Sequence, residues 1–216
     1  KIKGIIWYQA EANSKNAKEY ADLFKGMITD WRKNWKSDVP FIFAQLPNYD
    51  NQNNRWITLR ESQSKALELK NTGMAVLIDV GENDNIHPIH KQVVGKRMAL
   101  IAQNLAYGEK IPATAPTYST MKIGGNAITV NFTNGTFASE ATKSNISGFQ
   151  IAGNDKKFYP AMATLQSDKK TIKVSSPEVA NPIAVRYLWA DAPGQVMLSN
   201  QDGLVTPPFR TDSWEK

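Results

Sequence analysis

Asp84 stands three residues before His87 in the stretch Gly81-Glu-Asn-Asp-Asn-Ile-His87-Pro-Ile-His90-Lys91, which holds both histidines of the chain. That spacing lets a carboxylate orient an imidazole, and a neutral imidazole near neutral pH is a ready general base. The alternative is a solvated turn with incidental histidines. A second polar block is Trp7-Tyr8-Gln9-Ala10-Glu11-Ala12-Asn13. The Gln9 side chain can aim an amide N–H at a developing oxyanion, and nearby backbone amides can add to it. For Gln9 and Glu11 the alternative is ordinary capping at a strand end. A base, an orienting acid and an oxyanion donor are three of the four parts of a serine hydrolase. The fourth, the nucleophile, is not in view. Ser14, Ser62 and Ser64 lie on or beside predicted helices, without the strand-turn-helix setting that exposes a nucleophile.

The elements around these blocks set where they sit. Ile2 to Tyr8 reads as a strand, and so do Phe41 to Leu46 and Met74 to Val80. Helices are predicted from about Lys15 to Lys36, Trp56 to Lys70 and Lys91 to Tyr107. In the first, Tyr20, Phe24, Met27, Ile28, Trp31 and Trp35 recur at three and four residues and form one apolar stripe. Asn13 or Ser14 is its expected cap, and Gly108 is the stop of the third helix. Strand-helix alternation predicts a parallel sheet. Both polar blocks then follow strands, at the carboxyl edge where such sheets build sites. Asp79 ends the third strand and reads as structural; His90 reads as surface. Three strands make a thin sheet, so a preceding segment is expected to widen it.

Beyond Ile111 the pattern changes. Pro112 and Pro116 mark a linker, and short strands follow at 121–123, 127–132, 148–152, 171–174 and 183–189. Gly124-Gly125-Asn126, Asn134-Gly135 and Gly153-Asn-Asp155 supply turns. The expected division is an α/β part over 1–111 and an all-β sandwich over 112–216.

Composition narrows the function classes. Cysteine is absent, which excludes disulfides, thiol nucleophiles and cysteine metal sites. The net charge of +6 comes from scattered lysines and arginines rather than a basic stripe with interleaved aromatics, so no nucleic-acid partner is expected. No phosphate loop or dinucleotide glycine pattern appears. No apolar run is long enough to span a membrane.

Trp7-Tyr8-Gln9 with Glu11 and Asn13 resembles the Trp-Tyr-Gln-Gly-Glu-Ser-Asn block of the sialate O-acetylesterase family. Asn71-Thr-Gly-Met-Ala-Val, Asp79, Ile86-His87-Pro88 and Lys91-Gln92 are similar to its block around the catalytic histidine. The likeness continues through Gly148-Phe-Gln-Ile-Ala-Gly153, Val174-Ser-Ser-Pro-Glu-Val179, Ala184-Val-Arg-Tyr187 and Pro208-Phe-Arg-Thr-Asp212. The resemblance implies the C-terminal part of an SGNH-type hydrolase, a flavodoxin-like three-layer α/β fold, followed by the β module. It implies removal of O-acetyl groups from sialic acids, with no metal or organic cofactor. His87 is then the base, Asp84 the orienting acid unless a Ser-His pair suffices, and Gln9 the oxyanion donor. Glu11 and Asn13 stand as substrate-binding residues. The family's Gly-Gln-Ser-Asn-like nucleophile motif does not occur here, so the serine is expected upstream and this polypeptide alone is expected to be inactive. Two positions depart from the pattern: Ala10 replaces a glycine, in a turn that can need positive φ, and Ala12 replaces a serine. An acetylated-xylan esterase and a noncatalytic glycan-binding relative are the other readings. Family members are commonly secreted, periplasmic or lysosomal, which points to a periplasmic or extracellular place.

Overall fold

The apolar runs of the first hundred residues form three short parallel strands, β1 (Ile5–Trp7), β2 (Phe41–Ala44) and β3 (Thr72–Ala75), in the order β1-β2-β3. The computed structural model describes residues 2–50, 55–138, 146–195 and 198–214. Successive side chains of a strand point to opposite faces. Phe41 and Phe43 therefore meet Tyr20, Phe24 and Ile28 of α1 (Tyr20–Trp35) and Leu59 of α2 (Arg55–Ser64). On the other face Ile42, Ala44 and Ala75 meet Val94, Met98 and Ile101 of α3 (Lys91–Tyr107). Gly73 lets α3 lie this close to β3: a Cβ there would stand 2.2 Å from Ile101 Cγ2 and 2.9 Å from Leu105 Cδ1. Arg32 of α1 fixes the same end of the sheet by donating to the carbonyls of Val39, Lys70 and Asn71.

The elements are shorter than the pattern predicts. Residues Glu11–Asn16 form a 3-10 turn, and α1 begins only at Tyr20. Neither Asn13 nor Ser14 caps it; the Asn13 oxygen accepts from Gln9 instead. Trp35 ends the expected stripe half exposed, tilted against Trp31 at 5.6 Å. Strand β3 stops at Ala75 rather than Val80, because the chain turns back with Val80 N donating to Leu77 O. Arg97 of α3 holds that turn, donating to Val76 O at 2.7 Å and to both Asp79 oxygens at 2.6 and 2.7 Å. Asp79 is thus a structural partner, as expected.

One compact unit comprises Lys1–Thr114 together with Ala190–Ala192, and the second comprises Ala115–Trp189 and Pro193–Lys216. The second holds two four-stranded antiparallel sheets. One pairs β4 (Thr117–Gly124), β5 (Ala127–Thr133), β9 (Thr171–Ser175) and β8 (Met162–Leu165) in that order. The other runs β11 (Phe209–Arg210), β10 (Ala184–Tyr187), β6 (Phe149–Ala152) and β7 (Phe158–Pro160). Gly125 and Asn126 form the predicted two-residue hairpin turn, since Gly124 pairs with Ala127. Asn134 and Gly135 take the positive φ expected of them. Strands β7, β8 and β11 carry no apolar signal strong enough to announce them, and β10 ends at Tyr187 because Leu188 turns at φ 49°. Within this unit Tyr118, Phe149 and Tyr187 gather around Phe209, with ring centroids 4.8 to 6.3 Å from it. Arg186 closes on Asp212 with two bonds of 2.8 Å.

Candidate active site

The block after β1 folds on itself. Asn13 N donates to Ala10 O at 2.7 Å and opens the 3-10 turn. Gln9 Nε2 donates to Asn13 Oδ1 at 2.6 Å, while Gln9 Oε1 accepts from the Tyr20 hydroxyl at 3.2 Å. A primary amide carries two N–H groups. Asn13 takes one, and the second has no protein acceptor among the described residues. Gln63 of α2 ties the backbone of the block to β2 by donating to Gln9 O at 3.4 Å and Ala44 O at 3.0 Å. Glu11 places one carboxylate oxygen 3.0 Å from the Ala10 amide. Ala10 is fully buried at φ 152° and ψ −14°, outside the regions open to an L-residue. The turn does demand positive φ, and a methyl group sits where the family pattern has none. Burial, reinforced by the charge of Glu11, pushes the Tyr8 phenol up to about 12, so it stays neutral.

The histidine loop is fastened from its own start. Gly81 N donates to Asn48 Oδ1 at 2.9 Å, and Asn48 Nδ2 donates to Asn83 Oδ1 at 2.9 Å. Asp50 N donates to Asn83 O at 2.9 Å. The fit leaves no room at Gly81, where a Cβ would lie 2.4 Å from Asn48 O. Asn85 Oδ1 then accepts from His87 N at 2.9 Å. His87, Asp84 and His90 are exposed. No hydrogen bond or ion pair joins Asp84 to His87 among the described residues.

The two blocks share one edge of the sheet, because both follow strands that run in parallel. Two contacts connect them. Lys91, the first residue of α3, lies with Nζ 5.8 Å from the Tyr8 ring centroid, and Ile86 packs on the apolar cluster that includes Ala10. Gln9 and Asn13 are thus joined by a direct bond, and Glu11 is tied to the same turn through the Ala10 amide. Ser62 is buried and Ser64 Oγ is engaged with Gln45 and Arg60 O, which leaves neither poised for attack. Among the described residues no cluster of His, Asp and Glu could hold a metal ion, and no helix is long and apolar enough to cross a membrane.

Residues 1–104 match the family described as carbohydrate esterase, sialic acid-specific acetylesterase. The matched segment of this chain belongs to this family. The sialate O-acetylesterase of Rattus norvegicus is 29% identical over 238 residues, spanning 96% of this chain and 44% of the rat protein. That of Homo sapiens is 27% identical, spanning 96% and 45%. A carbohydrate acetylesterase from Xanthomonas citri superposes with a TM-score of 0.92 and 40% identity, across 99% of this chain and 51% of its own. The chain therefore spans about half the length of these relatives.

All five candidate residues lie in this matched esterase-family segment. Sequence reasoning missed Asn48, which braces the histidine loop, and Gln63, which braces the Gln9 block. Asn48 follows a strand end and a proline, a setting where Asn side chains bond backbone. That signal was present but diluted in an Asn-rich loop. Gln63 had none, since a helical Gln reads as surface until its burial is seen.

Proposed function

We propose that this chain carries the base and the oxyanion donor of a serine carbohydrate esterase that removes O-acetyl groups from sialic acids. The serine comes from a segment upstream of Lys1. His87 takes the proton of the serine hydroxyl as its oxygen attacks the acetyl carbonyl, with Asp84 orienting the imidazole. The second Gln9 N–H stabilises the tetrahedral oxyanion. His87 then gives the proton to the departing sugar oxygen, and water, activated by the same imidazole, hydrolyses the acetyl-enzyme. Glu11 and Asn13 line the substrate side of this block. Residues 1–111 are read as the C-terminal part of a flavodoxin-like SGNH-type domain and 112–216 as a β-sandwich, in a periplasmic or extracellular protein. No cofactor enters the scheme.

The observation that carries this reading is the unspent Gln9 N–H on the sheet edge that also bears the His87 loop. A second reading, deacetylation of another acetylated carbohydrate such as xylan, is favoured by the 40% identity to a Xanthomonas citri protein described only as a carbohydrate acetylesterase, against 29% for the rat sialate O-acetylesterase. The test is acetate release from 9-O-acetylated sialic acid and from acetylated xylo-oligosaccharides, by this chain alone and by a form extended upstream. The chain alone is expected to release none, and the extended form is expected to lose release on His87→Ala. Release by the chain alone, abolished by His87→Ala, would overturn the upstream serine. The ratio between the two substrates separates the two readings.

A further inference from the structure

Arg60 of α2 is fully buried, and its guanidinium is spent on main-chain carbonyls. It donates to Leu46 O, Pro47 O and Ala190 O, each at 3.0 Å, and also to Asp191 O. Burial pulls the guanidinium down to about 9, and the neighbouring Asp191 carboxylate opposes the shift. Ala190 and Asp191 come from the stretch between β10 and β11, yet they belong to the same compact unit as Arg60. Asp191 is itself buried. Its Oδ1 accepts from Ile57 N in the first turn of α2 at 2.8 Å, and its carbonyl accepts from Tyr49 N at 3.3 Å. Trp56 Nε1 adds a bond of 2.7 Å to Pro47 O. The segment Pro47–Tyr49 is thus held along one side by Arg60, Trp56 and Asp191. It presents the Asn48 side chain to Gly81 and Asn83, the residues that open the His87 loop.

We propose that Asp191 is a positioning residue for the His87 loop, acting through Arg60 and Pro47–Tyr49 on Asn48. A charge buried beside Arg60 and bonded to Ile57 N cannot shift without moving the two carbonyls that hold Arg60 and Tyr49. The catalytic consequence rests on the reading of His87 as general base; the structural link does not.

The test uses the longest form of the protein that carries this chain, as Asp191→Ala, Asp191→Asn, Asn48→Ala and the double variant with both alanines. Two readouts are taken: exchange of the Gly81 amide, and kcat with KM on an acetylated sugar. Asp191→Ala is expected to speed Gly81 exchange and lower kcat, each by about tenfold, with KM little changed, since a small displacement of reacting groups acts on kcat. Asp191→Asn keeps an oxygen for Ile57 N and is expected to recover most of both losses. Coupled residues give non-additive effects, so the double variant is expected to be no worse than Asn48→Ala. Unchanged Gly81 exchange in Asp191→Ala, or fully additive losses, would overturn the proposal. If Asp191→Ala does not fold, Asp191→Ser is judged by the same criteria. If the wild-type protein releases no acetate, the esterase reading falls and the exchange readout alone decides the link.

Discussion

Gln9 Nε2 donates to Asn13 Oδ1 at 2.6 Å, so the residue read as oxyanion donor is aimed by a neighbour four positions along the chain. Loss of a single oxyanion donor costs about a hundredfold to a thousandfold in kcat, and Gln9→Ala is expected to fall in that range with KM nearly constant. Asn13→Ala leaves the amide present but unaimed, so a smaller fall of about tenfold is expected. In a Gln9→Ala background Asn13→Ala should then do nothing more. A rise in KM for Asn13→Ala, with kcat kept, would mean that its contact with substrate outweighs its hold on Gln9. Steady-state kinetics of the three variants in the upstream-extended protein separates these outcomes.

Ala10 holds φ 152° and ψ −14° with no exposed surface. A strained backbone position of this kind costs about 1 to 3 kcal/mol, and glycine removes most of it while adding some freedom to the unfolded chain. Ala10→Gly is therefore expected to stabilise the first unit by about 1 kcal/mol. Urea unfolding gives the sign directly. A loss of stability would mean that the methyl group contributes more by packing in the cluster around Trp7 and Tyr20 than the turn loses through strain.

The order of strands and helices in the first unit was legible because each strand is an apolar run and each helix repeats its apolar positions at three and four. Ends were less legible. The Met74–Val80 run is apolar but for Asp79, yet only Thr72–Ala75 pairs, because Arg97 draws the Val76 carbonyl and Asp79 out of the ladder. Lys15 to Glu19 have helical residue types, yet the Gln9–Asn13 bond and the Ala10 turn delay α1 to Tyr20. Of the candidate site, the two blocks and their shared edge could be read from spacing and strand order. The Asn48 brace and the Ala190–Ala192 excursion could not, since each depends on contacts between residues far apart in sequence.

Gly73 carries a prediction of the opposite sign to that for Ala10. Its φ is ordinary, so the reason for glycine is space: a Cβ would press on Ile101 and Leu105 of α3. Overpacking of a well-filled core costs about 1 to 3 kcal/mol, and Gly73→Ala is expected to lower the unfolding midpoint of the first unit accordingly. Pairing it with Ile101→Ala removes the Cγ2 methyl at the contact, and the double variant is expected to be less destabilised than the sum of its two parts, a partial rescue. Failure of that rescue would show that the helix, rather than the side chain, limits the approach.

The Arg186–Asp212 pair makes the second unit sensitive to acid. Burial favours the neutral carboxyl of Asp212, but the two hydrogen bonds and the charge of Arg186 outweigh it and hold the group below its ordinary value of 3.8. A carboxylate whose folded pKa is depressed contributes stability above the unfolded value and loses it as pH falls through the folded one. The unit is therefore expected to keep its full resistance to urea near neutral pH and to lose part of it as pH falls below the ordinary carboxylate value. Asp212→Asn abolishes this part of the acid sensitivity. It also leaves the Arg186 guanidinium buried without its countercharge, stacked 3.9 Å from the Phe158 ring centroid, at a cost of about 3 to 5 kcal/mol near neutral pH. An Asp212→Asn protein as stable as wild type near neutral pH would mean that the contacts of Arg186 with Phe158 and Trp189, rather than the ion pair, hold its guanidinium in place.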